Sequence, residues 1–244
     1  MKIRRIRVIM ALAVCLIAVL IPFRRRVISM IGHTAVTSGG KKTVAERIAQ
    51  YGDAARGRLS PDFKKAGVEY PPKRIVLAAF KTERILEVWV SRDGKSFHGL
   101  RHYPILAASG ELGPKQREGD RQVPEGVYRI ESLNPNSLYH LALRVNYPNE
   151  FDREKGREEN RSNLGSDIMI HGKNCSIGCL AMGDEAAEDL FVLAAETGIG
   201  NIEVLISPVD FRRTELPREL PSLPAWYGEL CEKIKARLTV LKEW

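Results

Sequence analysis

From Arg74 onward the chain is written in short apolar runs separated by turn residues. Arg74 to Phe80 holds Ile75, Val76 and Leu77; Ile85 to Val90 precedes Arg92-Asp93-Gly94; His102 to Ala108 precedes Ser109-Gly110; and Val127 to Leu133 precedes Asn134-Pro135-Asn136. Tyr139 to Asn146, Asp167 to Ile170 and Ile202 to Ile206 complete the set. Runs of this length and spacing predict a mainly antiparallel β-structure. Helical patterns flank it. Thr43-Val-Ala-Glu46 has the spacing of a capping box and predicts a helix from about Val44 to Arg56, ended by Gly57. Asp184 is the expected N-cap of a helix over Glu185 to Thr197, with Ala187, Leu190, Phe191 and Ala194 on one face and Gly198 at its end. Pro208, Pro217, Pro221 and Pro224 punctuate an irregular tail, followed by an amphipathic helix from about Ala225 to Lys242. The fold class is therefore α+β: mainly β with flanking helices.

Before this body stands an uncharged run, Val8 to Phe23, preceded by Lys2, Arg4, Arg5 and Arg7 and followed by Arg24, Arg25 and Arg26. Such a segment exports or anchors a chain. At about 1.5 Å per helical residue it reaches roughly 24 Å, short of a hydrocarbon core of about 30 Å, so a spanning helix would rely on snorkelling arginines. Three arginines directly after the run, and the lack of a small-x-small cleavage site there, favour a retained signal-anchor over a cleaved signal peptide. The organisation expected is residues 1–28 as that segment, 29–72 as a linker and helix, 73–208 as the main domain and 209–244 as a C-terminal extension with a helix. The location expected is the cell envelope or periplasm, with the membrane as a partner through the N-terminal segment.

Composition changes this picture in one respect. The net charge of +8 looks basic, but seven of the positive side chains flank the apolar run, so the body is close to neutral. With no basic stripe interleaved with aromatics, nucleic-acid binding is a poor reading. Cys15 lies inside the apolar run, leaving Cys175, Cys179 and Cys231, an odd number and no disulfide framework. Cys231, beside Leu230 and near Ile234, reads as a small buried hydrophobe.

The chemistry concentrates in Ser166 to Met182, S-D-I-M-I-H-G-K-N-C-S-I-G-C-L-A-M. Ile168, Met169 and Ile170 write a strand, an open loop follows, and Gly178 directly precedes Cys179. A loop that folds back would bring His171 to Cys179 and make an activated nucleophile, the imidazolium favouring the thiolate and then protonating a leaving amine. Backbone N–H groups of Gly178 and Cys179 would serve an oxyanion if the loop turns sharply there; Ser176 would hydrogen-bond within the loop. Cys175 reads as a loop hydrophobe, with a redox partner for Cys179 as the alternative. A rival reading takes His171, Cys175 and Cys179 as zinc ligands, but no fourth ligand follows at a recognisable spacing and Gly172 and Gly178 oppose the helix that four-residue steps would suit.

His171, Gly172, Ser176, Gly178 and Cys179, as H-G-x-x-x-S-x-G-C, resemble the active-site signature of the YkuD-type L,D-transpeptidase domain, and in particular its YafK-like branch. That branch also carries Y-P-N-x-x-D-R, here Tyr147, Pro148, Asn149, Asp152 and Arg153, and G-D-x-x-x-P-E-G-x-Y, here Gly119, Asp120, Pro124, Glu125, Gly126 and Tyr128. The resemblance covers roughly Arg74 to Pro208. It departs from the wider family in two ways shared by the branch: Ile177 stands where most members have a second His, and the first His lies much closer to the cysteine. What it implies is a YkuD-like β-sandwich or barrel with a catalytic cysteine loop, no cofactor and no metal. It also implies an acyl-enzyme on Cys179 formed from peptidoglycan stem peptides, with His171 oriented by the Gly172 carbonyl. The branch favours hydrolysis of the amide linking a lipoprotein to diaminopimelate; the alternatives are cross-linking of stem peptides and a non-catalytic wall-binding module. Tyr147, Asn149, Asp152, Arg153 and Arg144 are the expected lining of the substrate groove, each with a structural role as the equal alternative.

Overall fold

The structure is a computed structural model and describes residues 40–218, 220 and 222–242; the run Val8 to Phe23 lies outside them. No helix among the described residues is long and apolar enough to cross a membrane.

Among the described residues nine strands form one sheet, in the order β3-β2-β1-β9-β5-β6-β7-β8-β4. They are β1 (Arg74–Phe80), β2 (Ile85–Ser91), β3 (His98–Pro104), β4 (Ala107–Ala108), β5 (Gly126–Ser137), β6 (His140–Val145), β7 (Met169–His171), β8 (Leu180–Ala181) and β9 (Ile202–Ser207). The sheet is mixed: β1 with β9 and β7 with β8 are parallel, and the other pairings are antiparallel. β5 joins its two halves. Residues Gly126 to Arg129 pair with β9, and Ile130 to Ser137, through two register irregularities, pair with β6. The expected sandwich or barrel thus takes the form of one continuous sheet carried from one half to the other along β5.

The apolar runs are continuous in the first half-sheet because both faces are covered. Ile75, Leu77 and Ala79 of β1 enter the main core with Leu86, Leu143 and Ile170. Val76, Ala78 and Phe80 point the other way, onto Tyr227, Leu230, Cys231 and Ile234 of the C-terminal helix. Cys231 is buried, as its neighbours predicted.

Four helices flank the sheet among the described residues: α1 (Val44–Ala66), α2 (Glu150–Glu158), α3 (Asp184–Thr197) and α4 (Tyr227–Leu238). The Thr43–Glu46 capping box forms, but α1 does not stop at Gly57; it runs through Gly57 and Pro61 to a left-handed cap at Gly67. Leu59 and Phe63, beyond the expected end, continue the four-residue step of buried Ala55. Each large apolar side chain is worth about 1.5–3 kcal/mol when buried, against about 1 kcal/mol for a helical glycine, so packing extends the helix. The terminal helix is shorter than the expected Ala225 to Lys242. Asp184 is the first residue of α3 rather than its N-cap: Gly183 occupies that position with no side-chain bond, because the Asp184 carboxylate is engaged by Lys173. Asn134-Pro135-Asn136 is not a turn but part of β5, and His102 to Ala108 divides into the end of β3 and the separate β4.

The G-D-x-x-x-P-E-G-x-Y stretch is a brace. Asp120 accepts from the N–H groups of Gln116, Arg117 and Gln122 and from Lys115 Nζ. Glu125 is fully buried, bonded to Lys81 Nζ at 2.8 Å and to the Tyr227 hydroxyl at 2.6 Å, which ties β1, β5 and α4 together. A buried pair of this kind is strongly destabilising when one partner is removed alone.

Candidate active site

β7 and β8 lie side by side and parallel, with Ile170 opposite Leu180 and His171 opposite Ala181. Cys179 directly precedes β8, so the register sets Cys179 on the adjacent strand two residues before the partner of His171. The nine-residue stretch from one to the other is the loop whose ends this pairing closes. Its far end is clamped: Asp184 accepts from the Lys173 N–H (2.9 Å) and from Lys173 Nζ (2.7 Å), and the Gly183 N–H donates to the Lys173 carbonyl (2.9 Å). Gly172 is required by space, since a Cβ there would lie 2.6 Å from Asp184 Oδ1 and 2.8 Å from the Tyr139 carbonyl oxygen.

The imidazole is buried, and its Nδ1 is 2.6 Å from the Gly172 carbonyl oxygen. A carbonyl only accepts, so Nδ1 carries the proton and Nε2 keeps a lone pair in the neutral ring. The ring of Tyr139 lies over it at 4.7 Å between centroids, tilted by 31°. Burial lowers the His171 pKa against the opposing pull of the Gly172 carbonyl. The thiol moves the other way. Burial raises the Cys179 pKa; a hydrogen bond from the Met169 backbone opposes this, the charge of Asp167 adds to it, and Lys115 opposes it. The Cys179 sulfhydryl donates to the Asp167 carbonyl at 3.6 Å, and among the described residues no hydrogen bond joins it to the imidazole. Burial thus works against the charged form of both groups, and so against the thiolate and imidazolium pair expected from the sequence.

A pH dependence follows. His171 accepts a proton only when neutral, and its pKa lies below the ordinary value of about 6.5, so kcat/KM is expected to fall on acidification with a midpoint below about 6.5. The free-enzyme pH profile of kcat/KM checks this; an acid limb centred at or above the ordinary value contradicts it.

The loop's N–H groups are held by hydroxyls. Cys179 N–H donates to Ser176 Oγ (3.1 Å), which in turn donates to the Cys179 carbonyl (2.7 Å). Gly178 N–H donates to Ser109 Oγ (2.6 Å). The two donors expected to face an oxyanion are thus both engaged in this conformation. Cys175 is exposed, not packed as a loop hydrophobe, and among the described residues no three His, Cys, Asp or Glu side chains are grouped to hold a metal.

The expected groove residues divide. Arg144 of β6 pairs with Asp167 and with Glu131, which places it beside the thiol's hydrogen-bond acceptor. Tyr147 is buried, its hydroxyl donating to the carbonyls of Leu164 (3.0 Å) and Lys115 (3.2 Å). Asn149 and Asp152 form the capping box of α2, and Asp152, raised to about 6 mainly by burial, also accepts from the Tyr128 hydroxyl. These three are scaffold. Arg153 is exposed and lines a cavity of about 340 Å³ with Glu118, Asn163 and Ser166, the last one residue from Asp167. A more spacious cavity, about 850 Å³, lies elsewhere, between the end of α1 and β3, and holds none of these groups. Ser109, Tyr139 and Asp167 were not legible beforehand, since each reaches the site through long-range pairing that no local spacing announces.

Residues 74–206 match the YkuD family, described as an L,D-transpeptidase catalytic domain. YafK of Escherichia coli strain K12, a candidate L,D-transpeptidase, is 37% identical over 160 residues, which cover 64% of this chain and 61% of that protein. The chain thus spans about three fifths of the length of that relative. Among solved structures, the helical cell shape determining protein Pgp2 of Campylobacter jejuni is similar at 24% identity and a TM-score of 0.46, over 56% of this chain and 48% of that one. L,D-transpeptidase 1 of Mycobacterium tuberculosis follows at 18% and 0.32, over 55% and 62%. With the match covering more than half of the sequence, and including both β7 with its histidine and the loop that ends at Cys179, the chain belongs to the YkuD family of L,D-transpeptidase catalytic domains.

Proposed function

We propose that this protein is a cell-envelope cysteine enzyme that acts on peptidoglycan stem peptides and hydrolyses the amide joining a lipoprotein to diaminopimelate. The observation that carries the reading is the pairing of β7 with β8, which sets a half-buried thiol and an imidazole with a free Nε2 lone pair on adjacent strands. In the first step the Cys179 sulfur bonds to the diaminopimelate carbonyl carbon while its proton passes to His171 Nε2. The carbon–nitrogen bond then breaks, and the imidazolium returns the proton to the departing amine. Water, deprotonated by the same Nε2, next attacks the thioester and releases a carboxylate and the thiol. Arg144 and Arg153, near Asp167 and Ser166, are the cationic groups suited to the carboxylates of a stem peptide.

Hydrolysis of a protein-bearing amide is supported by the apolar rim of the site. Leu106, Leu138, Tyr139 and Ile177 are exposed, and they account for nearly all the exposed large hydrophobics among the described residues. Leu106 N–H bonds to the Ala181 carbonyl, Tyr139 covers His171, and Ile177 stands two residues before Cys179. Such a surface suits a polypeptide better than a charged stem peptide. The family description, an L,D-transpeptidase catalytic domain, favours as the second reading transfer to an amine that cross-links two stems. The flanked apolar run Val8 to Phe23 supports export. Incubating the protein with sacculi that carry bound lipoprotein, and identifying the products by mass spectrometry, tests the reading. Released lipoprotein and free diaminopimelate carboxylates are expected; new cross-links would favour transfer, and an unchanged sacculus would leave only wall binding.

A further inference from the structure

The nucleophile loop is held at Gly178 by a side chain from outside it. Ser109, just after β4, accepts from the Gly178 N–H at 2.6 Å and donates its own hydroxyl proton to the Arg121 carbonyl at 2.8 Å. Its backbone takes part as well: Ser109 N–H donates to Ser176 Oγ (3.3 Å) and the Ser109 carbonyl accepts from Val123 N–H (3.3 Å). Gly178 has φ +107°, a region that glycine enters freely and therefore does not hold by its own sterics. The Gln122 carbonyl oxygen lies 3.3 Å from where a Cβ of Gly178 would be, so the 121–122 segment backs the turn on that side. Ser176 braces the loop from within, between residues 176 and 179, and itself meets Ser109 through the backbone N–H and, at 3.2 Å, the hydroxyl; Asp184 holds the far end at Lys173. The Ile177–Gly178 peptide, directly before the residue that carries the thiol, is thus tied to the 121–122 segment through the Ser109 hydroxyl.

We propose that Ser109 is a positioning residue for the nucleophile: by holding the Gly178 N–H it fixes the aim of the Cys179 thiol for acyl transfer. The inference rests on the reading of Cys179 as the nucleophile. It predicts a loss confined to reactions that demand a defined approach of sulfur to a carbonyl beside His171. Displacement at an unhindered carbon, as in alkylation by iodoacetamide, makes no such demand. A misplacement of about 1 Å is worth up to roughly 100-fold in rate.

The test compares the full chain with Ser109→Ala, Ser109→Thr and Cys179→Ser. Acylation by p-nitrophenyl acetate is followed by intact mass, alkylation of Cys179 by iodoacetamide is followed by peptide mapping, and thermal unfolding is recorded for each. In Ser109→Ala, acylation is expected to slow by about 10- to 100-fold with alkylation of Cys179 and the unfolding midpoint unchanged, and Ser109→Thr is expected to restore acylation. The proposal is overturned if acylation is unchanged, or if it rises, which would make the hydroxyl a competitor of substrate. It is equally overturned if acylation and alkylation fall together or fall with loss of cooperative unfolding, which would make the hydroxyl a brace of the fold alone. Acylation of the Cys179→Ser variant at the parent rate would instead refute the assignment of the nucleophile.

Discussion

Cys179→Ser is expected to abolish turnover on sacculi, a loss of roughly 10⁴-fold or more, while leaving the fold intact. The hydroxyl is nearly isosteric with the thiol and meets the same neighbours, the Asp167 carbonyl and the Met169 backbone. Its pKa is far above that of a thiol, and the imidazole is backed by a backbone carbonyl rather than a carboxylate, so the alcohol is the much weaker nucleophile at this site. The thiol is only half-buried and its bond to Asp167 is long, so the unfolding midpoint should match the parent's. Muropeptide release by the variant at a rate near the parent's would show that the chemistry lies elsewhere.

Gly172→Ala is expected to be the second most damaging change, though it removes no reacting atom. The new Cβ would meet Asp184 Oδ1 at 2.6 Å, the Tyr139 carbonyl oxygen at 2.8 Å and His140 Cβ at 2.9 Å. Asp184 is fixed by two bonds from Lys173, and Tyr139 belongs to a hairpin pinned where His140 Nε2 meets Glu188 at 2.9 Å. Neither can retreat cheaply, so residue 172 itself must move and carry its carbonyl away from His171 Nδ1. Without that acceptor the ring loses the bond that fixes its tautomer and aim. A fall in kcat/KM of about 100-fold and a destabilisation of about 1–3 kcal/mol are expected. Kinetics with thermal unfolding, and the imidazole ¹⁵N shifts as a report of the tautomer, check the two parts. Parent-like kinetics with an altered tautomer would separate the carbonyl from the chemistry.

Where local patterning and packing agreed, the sequence was readable almost to the residue. β1 was placed at its observed limits because its uninterrupted apolar run is buried on both faces. The capping box at Thr43 was equally local. The end of α1 was misplaced because Gly57 and Pro61 signal a stop, whereas Leu59 and Phe63 have a core to enter, which no local rule contains. α2 is not legible in the sequence because Glu150 to Glu158 offers only Phe151 as an apolar residue, and Asn149 and Asp152, its capping box, read locally as groove chemistry. At the site, His171 and Cys179 were found from residue type and motif, and the Gly172 carbonyl lies where the resemblance implied. The charge state of the pair was not, since it depends on burial. Nor was Ser109, which stands 69 residues from the glycine it holds. It reaches Gly178 only because β4, a strand of two residues, pairs with β8.

The central claim, that Cys179 is acylated by a peptidoglycan stem, is tested most directly by trapping the intermediate. The protein is mixed with purified muropeptides, quenched in acid within the first turnover and digested, and the cysteine-containing peptides are weighed. The account predicts a thioester adduct on the peptide holding Cys179, its mass matching a stem acylated through diaminopimelate, absent from Cys179→Ser and lost on treatment with hydroxylamine. An adduct on Cys175 or Cys231, or full turnover with no adduct on Cys179 at any quench time, would contradict it.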